Sequence, residues 1–346
     1  MNTVTFTRAD GTAKNSYTDW GLLLRPKNIA PPEPKIITMA IDGRDGDIDL
    51  TEWAGAVRYN DRAFSLSFYM TDAVTDINAK ATAIKNWLHG QRVKITFSDD
   101  AEYYYSARVS VSDAHNDGGV GMLSIKVISS PYKYKREKTL VYRTIEKSEY
   151  VLLKNDRMLS RPTIRAGASF NIVRYGKNLI APNFSTTTLD GVTYTSDGAG
   201  GVTVNGTSTG MSYITFSTRT LPAGVYTISG FPLDGSETKY GGLANVPNLS
   251  VSYYAYNGSR TFTLATAQSV HIRFRVFEGT TVDGLYFKPQ LEAGDTATAW
   301  EAHASKSYNV SVGTYEYTDF LLREGINVVG VAGSGEITFE WQEGAL

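Results

Sequence analysis

The chain has 346 residues, with 34 Lys and Arg against 35 Asp and Glu and a formal net charge of −1. So balanced a chain lacks the basic excess that drives nucleic-acid binding by counterion release, and it is too long for one ordinary core, which points to two or three domains. It contains no cysteine, which excludes a disulfide framework and any thiolate metal or redox site.

No apolar run approaches ~18 residues, so no membrane-spanning helix is expected, and the opening MNTVTFTRADGT lacks the apolar segment of a secretory signal. Its 22 Tyr and 32 Gly, with many Ser and Thr, predict a mainly β protein rich in turns. Residues 1–30 begin with a short alternating strand at Val4 and Phe6 and continue through SYTDWGLLLRP, anchored by Trp20, Leu22, Leu23 and Leu24. Pro26, Pro31, Pro32 and Pro34 keep the next piece extended.

Residues 31–69 read as two strands about an acidic, glycine-rich reversal. Ile36, Ile37, Met39 and Ile41 make the first strand. In the second, Phe64, Leu66 and Phe68 alternate with Ser65 and Ser67, the pattern of one buried face. Gly43 and Gly46 supply the positive φ of the reversal. Its four Asp invite a calcium reading, but with Asp45, Asp47 and Asp49 as the first ligands of an EF-hand loop the required Gly falls on Leu50. The reversal reads instead as an acidic turn on a solvated or subunit-facing edge.

Residues 75–90 are the one convincing helix. Ile77, Ala81, Ile84 and Leu88 fall on one face, Trp87 flanks it, Thr75 or Asp76 caps the start and Gly90 ends it at C′. His89 sits well against the helix dipole, as a cap rather than a catalyst. Strands follow at 92–97, 103–112 and 120–129. Tyr103, Tyr104 and Tyr105 are consecutive and must face both sides of their sheet, so at least one faces solvent or a partner. Trp20, Asp45, Asp47, Tyr103 and Tyr105 are the candidate subunit contacts. The basic, Pro-led SPYKYKREK at 130–138 reads as a solvated linker into a second domain.

Residues 149–175 have β-propensity but are too few to bury their own face. Residues 307–346 supply matching strands, including a hairpin read at 326–331 and 336–341 across Gly333-Ser334-Gly335. The two pieces together make one small sandwich. Between them, residues 177–303 shift to Thr, Ser, Gly, Asn and Tyr, with strands every 8–12 residues or so, the spacing of a two-sheet jelly-roll sandwich. Saccharide binding needs aromatic faces for the apolar side of a pyranose and planar polar groups for its hydroxyls. Tyr213, Tyr240, Tyr254, Tyr256, Asn257 and Trp300 are the candidates. Alternation puts Tyr254 and Tyr256 on one face and Tyr253 on the other, so one set belongs to the core.

Nothing points to catalysis. The four His have no metal-ligand spacing, and there is no nucleophile elbow, P-loop or dinucleotide fingerprint. Glu278 and Asp283 could be nominated as a glycosidase pair, but nothing separates them from other acids. No catalytic residue, metal site or cofactor is assigned.

The run PKIITMAIDGRDGDIDLTEW, then VRYNDRAFSLSF, a helix ending IKNWLHG and the strand EYYYSARV resemble, in order and spacing, the N-terminal domain of the distal tail protein (Dit) family of long-tailed, non-contractile bacteriophages. REGINVVGVAGSGEITFEWQEG resembles that family's galectin-like C-terminal domain, in shape only. KNLIAPNF and FKPQLEAGDTATAWEAH resemble the bounding strands of lectin-like carbohydrate-binding modules of phage tail proteins.

The resemblance implies three parts: a ring-forming β-barrel or sandwich with one helix (1–135), a discontinuous galectin-like sandwich (136–176 and 304–346) and an inserted jelly-roll module (177–303). It implies a virion protein at the distal end of the tail, a homohexameric ring between tail tube protein and tail-tip hub. Possible further partners are receptor-binding proteins and a host cell-wall polysaccharide, with no membrane and no specific nucleic-acid contact. The rival readings are a free carbohydrate-binding lectin and a tail-associated glycan hydrolase.

Overall fold

The computed structural model describes residues 2–53, 56–71, 77–182 and 184–346. The chain is mainly β, as expected, and divides into two compact units, Met1–Thr139 with Gln342–Leu346, and Leu140–Trp341.

The first unit is built on a ten-stranded sheet. Its main path runs Ala13–Asn15, Val4–Arg8, Arg92–Phe97, Tyr103–Val111, Val120–Ser129, Arg62–Met70 and Leu22–Leu24. The alternation in Arg62–Met70 does what the sequence implies: Phe64, Leu66, Phe68 and Met70 point into the core. The α-helix Ile77–Leu88 closes one side, burying Ile77, Ala81, Ile84 and Leu88. Gly90 ends it at φ 74°, and the Val111 amide donates to His89 Nδ1 at 3.1 Å. The proposed caps Thr75 and Asp76 lie outside the described residues.

Three expectations are corrected here. The strand read at 36–41 does not pair with residues 63–70. Only Thr38–Met39 is strand, and it pairs with Ile48–Asp49 in a two-stranded arm turned by Gly43 and Gly46, both at positive φ. Backbone bonds from Asn60 to Glu33 and from Lys35 to Arg58 tie the base of the arm. Ile36, Ile37, Met39 and Ile41, read as a strand's apolar side chains, are exposed. The basic stretch at 130–138 is not a solvated linker. Lys133–Lys135 pairs with Gly344–Ala345 and with the Tyr103–Val111 strand, because Glu343, buried, takes both Lys135 and the Thr139 hydroxyl.

The third correction is in the second unit. Gly325–Gly333 and Gly335–Trp341 are not a hairpin. The first pairs with Glu149–Asn155 and Phe170–Tyr175, the second with Thr139–Ile145 and Thr163–Ala166 in the facing sheet. The chain turns a corner between sheets at Gly333 (φ 148°) and Gly335 (φ 134°). A Cβ at Gly333 would lie 2.6 Å from the Phe170 ring. The two sheets close on one core that includes Val151, Leu153, Phe170, Ile172, Tyr308, Val329, Phe339 and Trp341, so the distant halves do complete one sandwich.

The intervening residues form three sheets rather than two, around a second core. Phe274 is central to it, with Phe287, Tyr240 and Phe231 rings 4.5, 6.0 and 6.4 Å away. Val328 of the first sandwich belongs to this core, and Tyr150, Leu152 and Tyr175 pack against it. The inserted sandwich therefore docks on its host sandwich through apolar side chains instead of hanging from two linkers.

Its chain ends are sewn together by polar side chains. Asn178 donates to the Glu301 carbonyl at 3.0 Å and accepts from the Ile180 and Leu291 amides. Buried Glu292 accepts from Gln290, from the Thr298 amide at 3.0 Å and from the Thr298 hydroxyl at 2.8 Å. Asn178, Gln290, Glu292 and Thr298, which hold this seam, lie within KNLIAPNF and FKPQLEAGDTATAWEAH.

Candidate functional site

The four-stranded sheet of the insert runs Ser212–Leu221, Gln268–Val276, Tyr240–Val246, Val251–Ala255. Val270, Ile272, Phe274 and Val276 alternate into the core, so His271, Arg273 and Arg275 are carried on the outer face. The register sets three rows across it. Tyr213, Arg275 and Gly241 share one; Thr215, Arg273, Leu243 and Tyr254 the next; Thr218, His271, Asn245 and Ser252 the third.

Side-chain contacts hold this face in one geometry. The Arg273 guanidinium lies 5.0 Å from the Tyr213 ring centre, and its Nε donates to Thr215 Oγ1 at 3.1 Å. Its Nη2 is 2.9 Å from His271 Nδ1. Arginine only donates, so Nδ1 accepts and the imidazole is neutral with its proton on Nε2. Burial, then the Arg273 charge, holds His271 below its ordinary pKa.

The Arg275 guanidinium lies 3.9 Å from the Phe277 ring centre and 4.8 Å from that of Tyr254, and its Nη2 donates to Tyr256 Oη at 3.3 Å. Tyr254 and Tyr256 stack at 5.2 Å with their ring planes nearly parallel. Burial pushes the Tyr256 hydroxyl above its ordinary pKa, against the pull of Arg275. A Cβ at Gly241 would come 2.5 Å from the Tyr256 ring, so glycine there lets that ring lie down on the strand.

Of the six saccharide candidates, Tyr213, Tyr254 and Tyr256 meet on this face, and exposed Asn257 follows it. Tyr253 faces the other way, stacked on Phe262 at 5.1 Å, as alternation requires. Tyr240 and Trp300 lie elsewhere. Tyr240 is buried, its hydroxyl donating to Asp234 at 2.7 Å, and burial with that carboxylate pushes it up to about 12. Trp300 packs over Gly200 with Lys288 at 4.5 Å from its ring. Arg273, Arg275 and His271 were not nominated. HIRFRVF alternates visibly, and charged residues at every second position of a strand whose other face is core was the available signal.

In the first unit, Asp45 and Asp47 are exposed on the arm tip. Tyr103 is half-buried under Lys133, 4.4 Å from its ring, and Tyr104 stacks on Tyr134. Trp20 and Tyr105 are core residues. Trp20 packs edge-on against Trp87 at 5.3 Å, and Tyr105 Oη accepts from buried Arg62 at 3.2 Å. The arm exposes side chains that were not nominated for contact: Ile36 at 70%, Trp53 at 75%, and Ile37, Met39 and Ile41.

Where the insert meets its host sandwich, a cleft of about 460 Å³ is lined by Tyr150, Tyr175, Asn171, Lys147, Thr218 and Arg219. Its Arg219 donates to Tyr150 Oη at 3.1 Å and so serves the docking of the two sandwiches. Among the described residues no group of three or more His, Cys, Asp or Glu is placed to hold a metal ion. Glu278 and Asp283 are both exposed.

No family model and no curated protein matches the chain. Among solved structures, it is similar to the crystal structure of the SPP1 Dit protein (gp 19.1), described as a paradigm of the hub adsorption apparatus in Gram-positive infecting phages. Identity is 13% over the whole of both chains, with a TM-score of 0.41. A structure of infectious bursal disease virus, Gx strain, aligns at 9% identity over 92% of this chain and 81% of that one, with a TM-score of 0.17. At these levels neither alignment transfers a role to this chain.

Proposed function

We propose that the chain is a structural component of a bacteriophage tail tip. Six copies close a ring through residues 1–135 between the tail tube protein and the tip hub, at the distal end of the virion tail. The observation that carries this is the arm. Ile36, Ile37, Met39, Ile41 and Trp53 stand exposed on a narrow hairpin that has no core of its own. Exposed large apolar side chains gathered on one hairpin suit a contact with another chain, and a surface that docks on a different face of an identical copy gives a ring when its rotation closes. The motif order of residues 31–110 supplies the family and the six-fold count.

The insert at 177–303 is the part that meets the host surface. The aromatic and cationic face at Tyr213, Tyr254, Tyr256, Arg273 and Arg275 binds host cell-surface saccharide. No reaction is assigned to it. A flat face gives weak single-site binding, which six copies in one particle convert into useful adhesion through effective concentration.

Light scattering and negative-stain imaging of the full-length protein test the ring. Particles of six with a central hole are expected. A persistent monomer at micromolar concentration, alone and with tail tube protein, would overturn the ring and leave a free lectin as the better description. Labelling host cells with the full-length fluorescent protein tests the saccharide face.

A further inference from the structure

We propose that the saccharide taken by the insert's outer face is anionic, carrying a carboxylate or a phosphodiester. This rests on the saccharide reading above and narrows its ligand class. The four strands of the sheet contain Arg219, Arg273 and Arg275 and not one Asp or Glu, in a chain whose charges otherwise balance. Two of those arginines stand side by side on the outer face. Neither has a carboxylate partner among the described residues: their contacts are to a hydroxyl, an imidazole, aromatic rings, a phenol and the Met211 thioether. Exposed Glu237 acts on Tyr256 at the edge of the face, and the Asp234 carboxylate accepts from the Tyr240 hydroxyl.

Both guanidiniums are held in place before any ligand arrives, and both keep donors to spare. Arg275 Nε is buried, so what Arg275 has left to face a ligand is the second N–H of each Nη, the first going to Met211 Sδ or to Tyr256 Oη. A fixed, planar fork with free N–H groups suits a carboxylate or phosphate oxygen pair better than a ring hydroxyl. Tyr213, exposed beside the Arg273 fork, offers a face to the apolar side of the sugar ring. A neutral saccharide would leave two cations desolvated without a counter-charge, which costs affinity.

The test uses the full-length protein on three immobilised polymers: polygalacturonate for carboxylate, phosphomannan for phosphodiester and dextran for no charge. Retention on one or both anionic polymers and none on dextran is expected. Raising sodium chloride from about 0.1 M to about 1 M should release the protein. Arg273→Gln with Arg275→Gln should weaken retention about tenfold or more, while Arg143→Gln, an equal kind of charge loss on the host sandwich, should not. Arg275→Lys, which keeps the charge without the fork, should fall between and covers the case in which the double variant is poorly folded.

Preference for phosphomannan over polygalacturonate, or the reverse, decides which anion the forks read. Equal, salt-insensitive retention on dextran would overturn the anionic class and leave the saccharide reading standing. Retention on none of the polymers, with no labelling of host cells, would sink both.

Discussion

The arm of the first unit and the outer face of the insert are both exposed and both aromatic or apolar, yet they are built in opposite ways. The arm is a thin ladder of backbone bonds on which Ile36, Ile37, Met39, Ile41 and Trp53 stand exposed. The insert's face is laid on a sheet with a stacked aromatic core beneath it, and every Arg on it is already gripped by a neighbour. A surface of the first kind gains its order when a partner covers it, at about 25 cal/mol per Å² of apolar area removed from water. A surface of the second kind is pre-organised and spends little on ordering, which suits a small, hydrated ligand. The difference is what the proposed division of labour, a protein partner on the arm and a saccharide on the insert's face, rests on.

The comparison breaks most sharply in the insert's core. Phe274→Ala removes the ring that Phe231, Tyr240 and Phe287 pack around, and should cost roughly 3–5 kcal/mol of stability. Urea unfolding followed by tyrosine fluorescence should show an early transition, with saccharide binding lost in parallel and the ring of six unaffected. If binding survives that loss of packing, the face does not depend on the rigid sheet.

On the arm, Trp53→Ala with Ile36→Asp should do the reverse. Both side chains are exposed in a single chain, so its melting point should hardly move. Association should lose roughly 2–4 kcal/mol at each interface, read by light scattering as a shift from ring to monomer at the same protein concentration. Unchanged rings would remove the arm from the interface.

Legibility in the sequence followed the same division. Elements whose pattern is set by one buried face were readable from the residues alone. Arg62–Met70, the helix face of Ile77, Ala81, Ile84 and Leu88, and Gln268–Val276 fall where the alternation puts them. Tyr240–Val246 was not readable, because Gly241-Gly242 reads as a turn. Those glycines are there to admit the Tyr256 ring on one side and Phe231 on the other, a requirement that only the neighbouring strands reveal. The sheet-to-sheet corner at Gly333–Gly335 was read as a hairpin for a related reason: two strands flanking a short glycine loop look alike whether they pair with each other or with others.

The candidate site was half legible. Aromatic clusters are visible in a sequence. The arginines between them come from another strand and meet them only through register.

A smaller effect sharpens the face itself. Tyr254→Ala removes one side of the Arg275 sandwich and the stacking partner of Tyr256. It should weaken saccharide retention by about 0.5–1.5 kcal/mol and leave urea midpoints nearly unchanged, since the ring is not in the core. A larger loss of stability than of binding would mark Tyr254 as structural.

The smallest expected effect tests how Arg273 is held. Its Nη2 needs a neutral acceptor at His271 Nδ1, and the folded His271 pKa lies below the ordinary 6.5. The unfolded chain therefore takes up the proton first as pH falls. The stability that depends on the neutral ring is complete above pH 6.5 and is lost as pH drops through the folded value. The ring is partly exposed and screened by water, so the amount is well under about 1 kcal/mol. Urea midpoints at neutral and mildly acid pH should show the wild-type chain losing slightly more stability than His271→Gln, whose amide oxygen can accept from Arg273 at either pH. The sign carries the information. If the wild type gains stability toward acid pH instead, His271 is protonated in the folded chain, Nδ1 cannot be the acceptor, and Arg273 is held by Thr215 and the Tyr213 ring alone.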